Sequence, residues 1–262
     1  MKRLGMIVTA LLGITVSNAA AQELWPSIQP SNFRFDITKP DFEGGGIGFF
    51  SLAMVPSFRF PAGPVRVNVD LPFAFYDAEG EQSDARLGNP YLGLELGKAD
   101  GPFTFQVGAR VPLADYGDDG SALYLGMLSD WDHTEAWVPD QIPASANVLY
   151  QRASQGGFLV SARVGATTLF FVGDESGSDP DVLANYGLRL GYEKNQVMLG
   201  AALTGRWVLT SDDDDTSQHQ FGLEGGYRFG SVMPMLSLRL PIDEPLTTGV
   251  NTIWGIGLRA WW

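Results

Sequence analysis

The chain has 262 residues, a formal charge of -13 and no cysteine. Disulfides therefore cannot hold it together, and so acidic a balance argues against nucleic-acid binding. Its 45% hydrophobic share is ordinary, but 32 Gly with 16 Phe, 8 Tyr and 7 Trp is not; chains this rich in Gly and aromatics, with short periodic segments, form β-barrels or sandwiches.

The first 21 residues read as a separate unit: Lys2 and Arg3, an apolar run from Leu4 to Val16, then Ser17-Asn18 and the small residues Ala19, Ala20 and Ala21. This is the pattern of a secretory signal peptide, with cleavage expected before Gln22. The apolar run is well short of the roughly 20 residues a spanning helix needs, and no later window reaches that length without a charge or a Gly/Pro break. A helical membrane protein is therefore excluded, and residues 22–262 are expected to form a single domain.

Period-2 alternation predicts strands at 32–38, 47–60, 65–76, 87–97, 103–114, 142–152, 157–171, 182–193, 196–210, 217–229, 232–241 and 251–262. Most reach the roughly 9–11 residues of a tilted membrane strand. The connections alternate between short (PAGP, KADGP, ASQG, KN, GS) and long, as in an up-and-down barrel with tight periplasmic turns and longer outer loops. The expected fold is thus all-β: a membrane-spanning, up-and-down antiparallel barrel of about twelve strands. Its closure depends on 32–38, the shortest of them.

In 103–113, Phe103, Phe105, Val107, Ala109, Val111 and Leu113 alternate with Thr104, Gln106, Gly108, Arg110 and Pro112. Carried through the chain, the polar face collects Arg34, Arg59, Arg66, Arg110, Arg163, Arg189, Arg206, Arg228, Arg239 and Arg259, joined by the acids Asp36, Asp70, Glu95 and Glu224. A face of Gly, Arg and Thr, without the Lys and Glu of a wetted surface, points to a lumen. Two readings stand: a positive pore that favours anions, or a network of ion pairs that fills the lumen and holds the strands. Slipping the register by one residue would turn the arginines into lipid, at about 2–4 kcal/mol each near the midplane. Aromatics at the strand ends beside the short turns, among them Phe58, Phe103, Tyr150, Tyr192, Tyr227, Phe229 and Trp262, form an interfacial girdle.

The longest connection, 115–141, carries Leu123, Tyr124, Leu125, Met127, Leu128, Trp131 and Trp137 and is too apolar for a solvated loop. A short helix or hairpin folding over or into the mouth is expected. There Tyr124, Trp131 and Trp137 either line an access site for an apolar solute or pack as a lid on the rim. The acid runs Asp118-Asp119, Asp174-Glu175 and Asp212 to Asp215 read as solvated tips of outer loops. Asp115 to Gly120 lacks the closing Glu of a calcium loop, and no residue set suggests a metal or cofactor. His133 and His219 are the two histidines. Neither has the sequence setting of a Ser-His hydrolase, so no catalytic residue is assigned.

Leu87-Gly88-Asn89-Pro90-Tyr91-Leu92-Gly93-Leu94 resembles the G-D-P-x-x-G strand of an outer-membrane transporter family called MetA-pathway of phenol degradation, with Asn89 where family members commonly carry Asp. The closing stretch Asn251 to Trp262, NTIWGIGLRAWW, resembles the C-terminal insertion signal of Gram-negative outer-membrane barrels. These resemblances imply a place in the cell outer membrane, contact with its lipid, and recognition by the barrel assembly machinery through the last strand. The family resemblance also implies passage of small aromatic or apolar molecules; joined to the arginine excess, it makes the expected function that of a porin-like channel or transporter for passive passage of small aromatic, apolar or anionic solutes through an Arg-lined lumen. The alternative is a closed structural or surface-interaction barrel whose acidic outer loops meet the partner.

Overall fold

A computed structural model describes residues 32–42, 49–78, 83–97, 101–116, 120–172, 178–210, 217–243 and 249–262. The expected signal peptide and all three acid runs lie outside the described residues. The alternating segments form β1 (Asn32–Phe42), β2 (Phe49–Ala62), β3 (Val65–Asp70), β4 (Phe73–Ala78), β5 (Asp84–Leu87), β6 (Tyr91–Leu96) and β7 (Phe103–Arg110). After α1 (Ser121–Ser129) and a 3-10 segment (Trp131–Ala136) come β8 (Gln141–Ala153), β9 (Phe158–Phe171), β10 (Asp181–Lys194), β11 (Val197–Val208), β12 (Ser217–Tyr227), β13 (Val232–Pro241) and β14 (Val250–Trp261).

β2 runs beside β3 and then β4, while β6 and β5 pair with those two in turn. Each couple is therefore one crossing with a break in it, and the sheet is a closed twelve-strand antiparallel barrel. The breaks fall at Leu71-Pro72 and Gly88-Asn89-Pro90, where proline has no N–H for the ladder. The Gly88 N–H still bonds Pro72 O at 2.8 Å, so the two breaks face each other. The second break shifts the alternation: Leu87 pairs with Phe73 and Leu92 with Ala109 on the same outer face, although they are an odd number of residues apart. The extra residue acts as a bulge and re-aims the chain.

Closure runs through β1, which extends past the expected end at 38 to Phe42. It pairs with β14 from Asn32↔Trp261 to Phe42↔Val250, and with β2 from Asn32↔Arg59 to Thr38↔Ala53. The barrel is inside-out relative to a soluble one: Leu236, Trp254, Val164 and Phe103 are exposed on the outside, while Asn68, Glu95, Arg59 and Arg189 are buried inside. Lipid is the only solvent that suits such an outer surface. The aromatic girdle forms at the short-turn end as cross-strand pairs, Phe33–Phe58 at 5.2 Å between ring centroids, Phe103–Tyr150 at 5.2 Å and Phe158–Tyr192 at 5.1 Å. Among the turns at that end, Gly63, Asn195 and Gly230 take φ of 65°, 59° and 61°, the left-handed conformation that tight hairpins require.

Candidate functional site

The segment between β7 and β8 enters the barrel. α1 is nearly all apolar, starts at Gly120 with φ 71° and buries Ala122, Leu123 and Leu125. These pack with Trp137 against Ala53 and Val55 of β2 and Ala74 and Tyr76 of β4. Small residues on that stretch of the inner wall leave room for a helix. Gly126 lets it approach closely: a Cβ there would stand 2.6 Å from Trp137 Cε3 and 2.9 Å from Ala74 Cβ. Trp131 packs against Val250 and Ile253 at the start of β14.

The rest of this plug is acidic and meets the lumen arginines. Asp130 Oδ1 lies 3.2 Å from Arg239 Nη1, with Asp132 Oδ2 3.5 Å from the same nitrogen. Glu135 lies 2.8 Å from Arg206 and 3.7 Å from Arg110. Thr204 Oγ1 donates to Asp132 Oδ1 at 3.1 Å, and His133 Nδ1 sits 2.8 Å from Asp130 Oδ2. Burial pushes the Glu135 carboxyl upward, but Arg206 and Arg110 outweigh it and hold the group at about 2. Burial likewise opposes the charge on Asp130, and His133 with Arg239 drives its pKa below the usual range. Desolvation works against the His133 imidazolium, yet Asp130 raises its pKa above the ordinary value.

Asn89 anchors the far end of the plug. Its amide nitrogen donates to Val138 O at 2.7 Å and Glu135 O at 3.2 Å, and its Oδ1 accepts from the Leu113 and Ala114 N–H groups at 2.9 and 2.8 Å. Its backbone N–H bonds Ala136 O at 2.6 Å, and its carbonyl accepts from Arg110 Nη1 at 3.0 Å. The bulge at 88–90 aims this side chain inward, and an amide is the side chain that can both donate to two carbonyls and accept from two N–H groups.

Most of the remaining arginines are paired on the barrel wall. Glu95 takes Arg59, Arg66 at 3.0 Å and the Asn68 amide at 3.0 Å. Glu224 takes Arg189 and, at 3.2 Å, Arg259. Arg34 pairs with Asp36, and Asp70 lies 4.0 Å from Arg110. Near the short turns Arg228 pairs with Glu193 and stands 4.8 Å over the Trp261 ring. Met198, Met233 and Met235, inward-facing and packed with Trp261, add an apolar layer at that level.

Ion pairing therefore extends beyond the four acids expected on the polar face. Asp130, Asp132 and Glu135 arrive from the plug and Glu193 from a strand end, and they offset much of the arginine excess. Trp131 and Trp137 are 4% and 1% exposed and serve as packing, whereas Tyr124 is 56% exposed. The three do not converge on one surface. His219 pairs through Nδ1 with Asp243 at 2.6 Å and through Nε2 with the Tyr186 hydroxyl, which satisfies a ring placed on the outer face. Sequence reasoning missed Asn89's anchoring role, the plug acids and the methionine layer; a cluster of acids inside an apolar loop was the available signal for the plug.

No protein-family model matches the sequence, and no curated protein matches it. Among solved structures, the chain is similar to an outer membrane channel from Pseudomonas putida F1, at 12% identity and TM-score 0.60, covering 94% of this chain and 99% of that one. The chain has an outer-membrane barrel fold. It is also similar to the NanC porin, at 9% identity and TM-score 0.53, covering 88% of this chain and 99% of that one. At such identities the likeness establishes the fold, which together with the lipid-facing belt places the barrel in the outer membrane.

Proposed function

We propose that this barrel is a gated channel for passive passage of small molecules across the outer membrane, with residues 121–136 as the gate. The observation that carries the reading is how the plug is held. It belongs to no strand ladder and is fixed by apolar packing on one side and by ion pairs to Arg110, Arg206 and Arg239 on the other. A segment held by side chains can leave without opening the barrel, and its departure removes Asp130, Asp132 and Glu135 from the lumen. The open pathway is then more positive than the closed one, so it favours anions. The methionine layer beside Trp261 is a soft surface over which apolar and aromatic solutes pass. Likeness to outer-membrane channels and the Gly88-Asn89-Pro90 resemblance to the MetA-pathway family support this reading, and the last strand fits recognition by the barrel assembly machinery.

A closed structural barrel is the second reading, favoured by a lumen occupied at two levels, by the plug and by the methionine layer. Planar-bilayer recording under a potassium chloride gradient separates the two. Discrete conductance with a reversal potential on the anion side is expected. A folded, heat-modifiable barrel that never conducts would establish the closed form, and a cation-side reversal potential would overturn the charge argument.

A further inference from the structure

Arg163 stands apart from its neighbours. It projects inward from β9 and is 8% exposed, yet among the described residues it makes no hydrogen bond and no ion pair. The cross-strand row explains the space in front of it: Arg163 pairs with Gly187, Gly187 with Thr204, and Thr204 with Gln220. Glycine in the middle of this row leaves a gap, and a small cavity opens there between Arg163, Arg206, Trp131, Gln218 and Gln220. The acids nearby have other contacts: Asp132, which also lines the pocket and whose charge reaches Arg163, accepts from Thr204 at 3.1 Å and faces Arg239 at 3.5 Å, and Glu135 lies 2.8 Å from Arg206. The Trp131 Nε1–H is also buried without a hydrogen-bond partner. Asp132, Thr204 and Gln220 are shared with a larger lumen cavity lined by Arg34, Arg239 and Arg259, so the small one is a side pocket of the lumen.

We infer that this pocket is a binding site for the carboxylate of a small solute, with Arg163 as the primary donor and Trp131 Nε1–H and the Gln220 amide as neutral donors. A guanidinium offers two parallel N–H groups that match a planar carboxylate; the side pocket, of about 10 Å³, takes one carboxylate oxygen while the rest of the solute lies in the larger cavity. The inference rests on the channel reading only in treating the lumen as a solute route. Binding without conductance would uphold the site and sink the channel, and conductance without binding would do the reverse.

Acetate is the probe, followed by saturation-transfer NMR on the folded barrel in detergent micelles. Saturable binding is expected, weakened about tenfold or more by Arg163→Met, since loss of a charged donor has an effect of that order. Arg163→Lys retains part of the binding, because the charge stays while the paired N–H geometry is lost, and Arg66→Met, at an arginine paired with Glu95 and outside both cavities, leaves it unchanged. Trp131→Phe keeps an aromatic ring but removes the N–H donor, and weakens binding severalfold, which also tests the site if Arg163→Met does not fold. No saturable binding to the wild type, equal binding by the folded Arg163→Met or Trp131→Phe variant, or binding of inorganic phosphate in preference to acetate would each overturn the assignment.

Discussion

Asn89→Asp replaces one nitrogen by oxygen at a fully buried position and inverts the hydrogen bonding of the plug's anchor. Oδ1 keeps the Leu113 and Ala114 N–H groups, but the second oxygen now faces Val138 O and Glu135 O, acceptors that the amide had satisfied at 2.7 and 3.2 Å. Each buried acceptor left without a donor costs about 1–3 kcal/mol, or about 2–6 kcal/mol for both. Arg110, already 3.0 Å from the Asn89 carbonyl, attracts the new carboxylate and reduces the loss to about 1–4 kcal/mol. At 1.4 kcal/mol per factor of ten, the undocked plug becomes about 5- to 700-fold more populated. The barrel itself is left intact, because no ladder bond is touched. Hydrogen exchange of amides in 121–138 is expected to accelerate by that factor while amides of β9 and β10 exchange as before, and open-channel events become more frequent. Unchanged exchange in 121–138 would refute the anchoring role of Asn89.

Glu95→Gln leaves Arg59 and Arg66 buried beside a neutral partner, and breaking such a group costs about 3–5 kcal/mol; an unaltered urea midpoint for unfolding would contradict the pairing. Gly108→Ala puts a Cβ 2.3 Å from the Tyr91 hydroxyl and 2.4 Å from Cζ. The displaced ring is expected to destabilise the barrel by about 1–3 kcal/mol, with relief in the Tyr91→Ala background, and additive effects of the two changes would refute the contact. The His133–Asp130 pair makes plug docking depend on pH. Because docking raises the His133 pKa above its ordinary value of about 6.5, its contribution is complete below that value and disappears as pH rises through the higher docked one. Proteolysis within 121–138 is therefore expected to quicken as pH rises above neutral, and His133→Gln removes this dependence. A wild-type rate that is flat across that window would show that the pair does not hold the plug.

Twelve strands and their near-boundaries were legible because lipid on one face and a polar interior on the other impose strict alternation, as in 103–113. Alternation alone is the same in a soluble barrel turned outside in; the Gly, Arg and Thr of the polar face pointed to a lumen, and the buried Asn68 and Glu95 against the exposed Trp254 and Leu236 settle it. The strand at 87–97 was read as continuous, but Pro90 breaks it and flips the parity that period-2 reading assumes. Residues 115–141 announced themselves as a packed segment by their apolar content, and the helix is there. Pairing across the lumen was invisible, because Asp132 and Thr204, or Asp130 and Arg239, meet only after the chain has closed into a barrel. For the same reason the sequence left open whether Trp131 and Trp137 line an access site or pack as a lid; both are buried.

Residues 121–136 fill the lumen, and single-channel recording of the barrel with these residues replaced by a short Gly-Ser linker tests their gating role most directly. The intact chain is predicted to dwell in a low-conductance state with brief openings, and the deleted form to conduct steadily at the level of those openings. A folded, heat-modifiable deletion barrel that conducts no more than the intact one would contradict the gate.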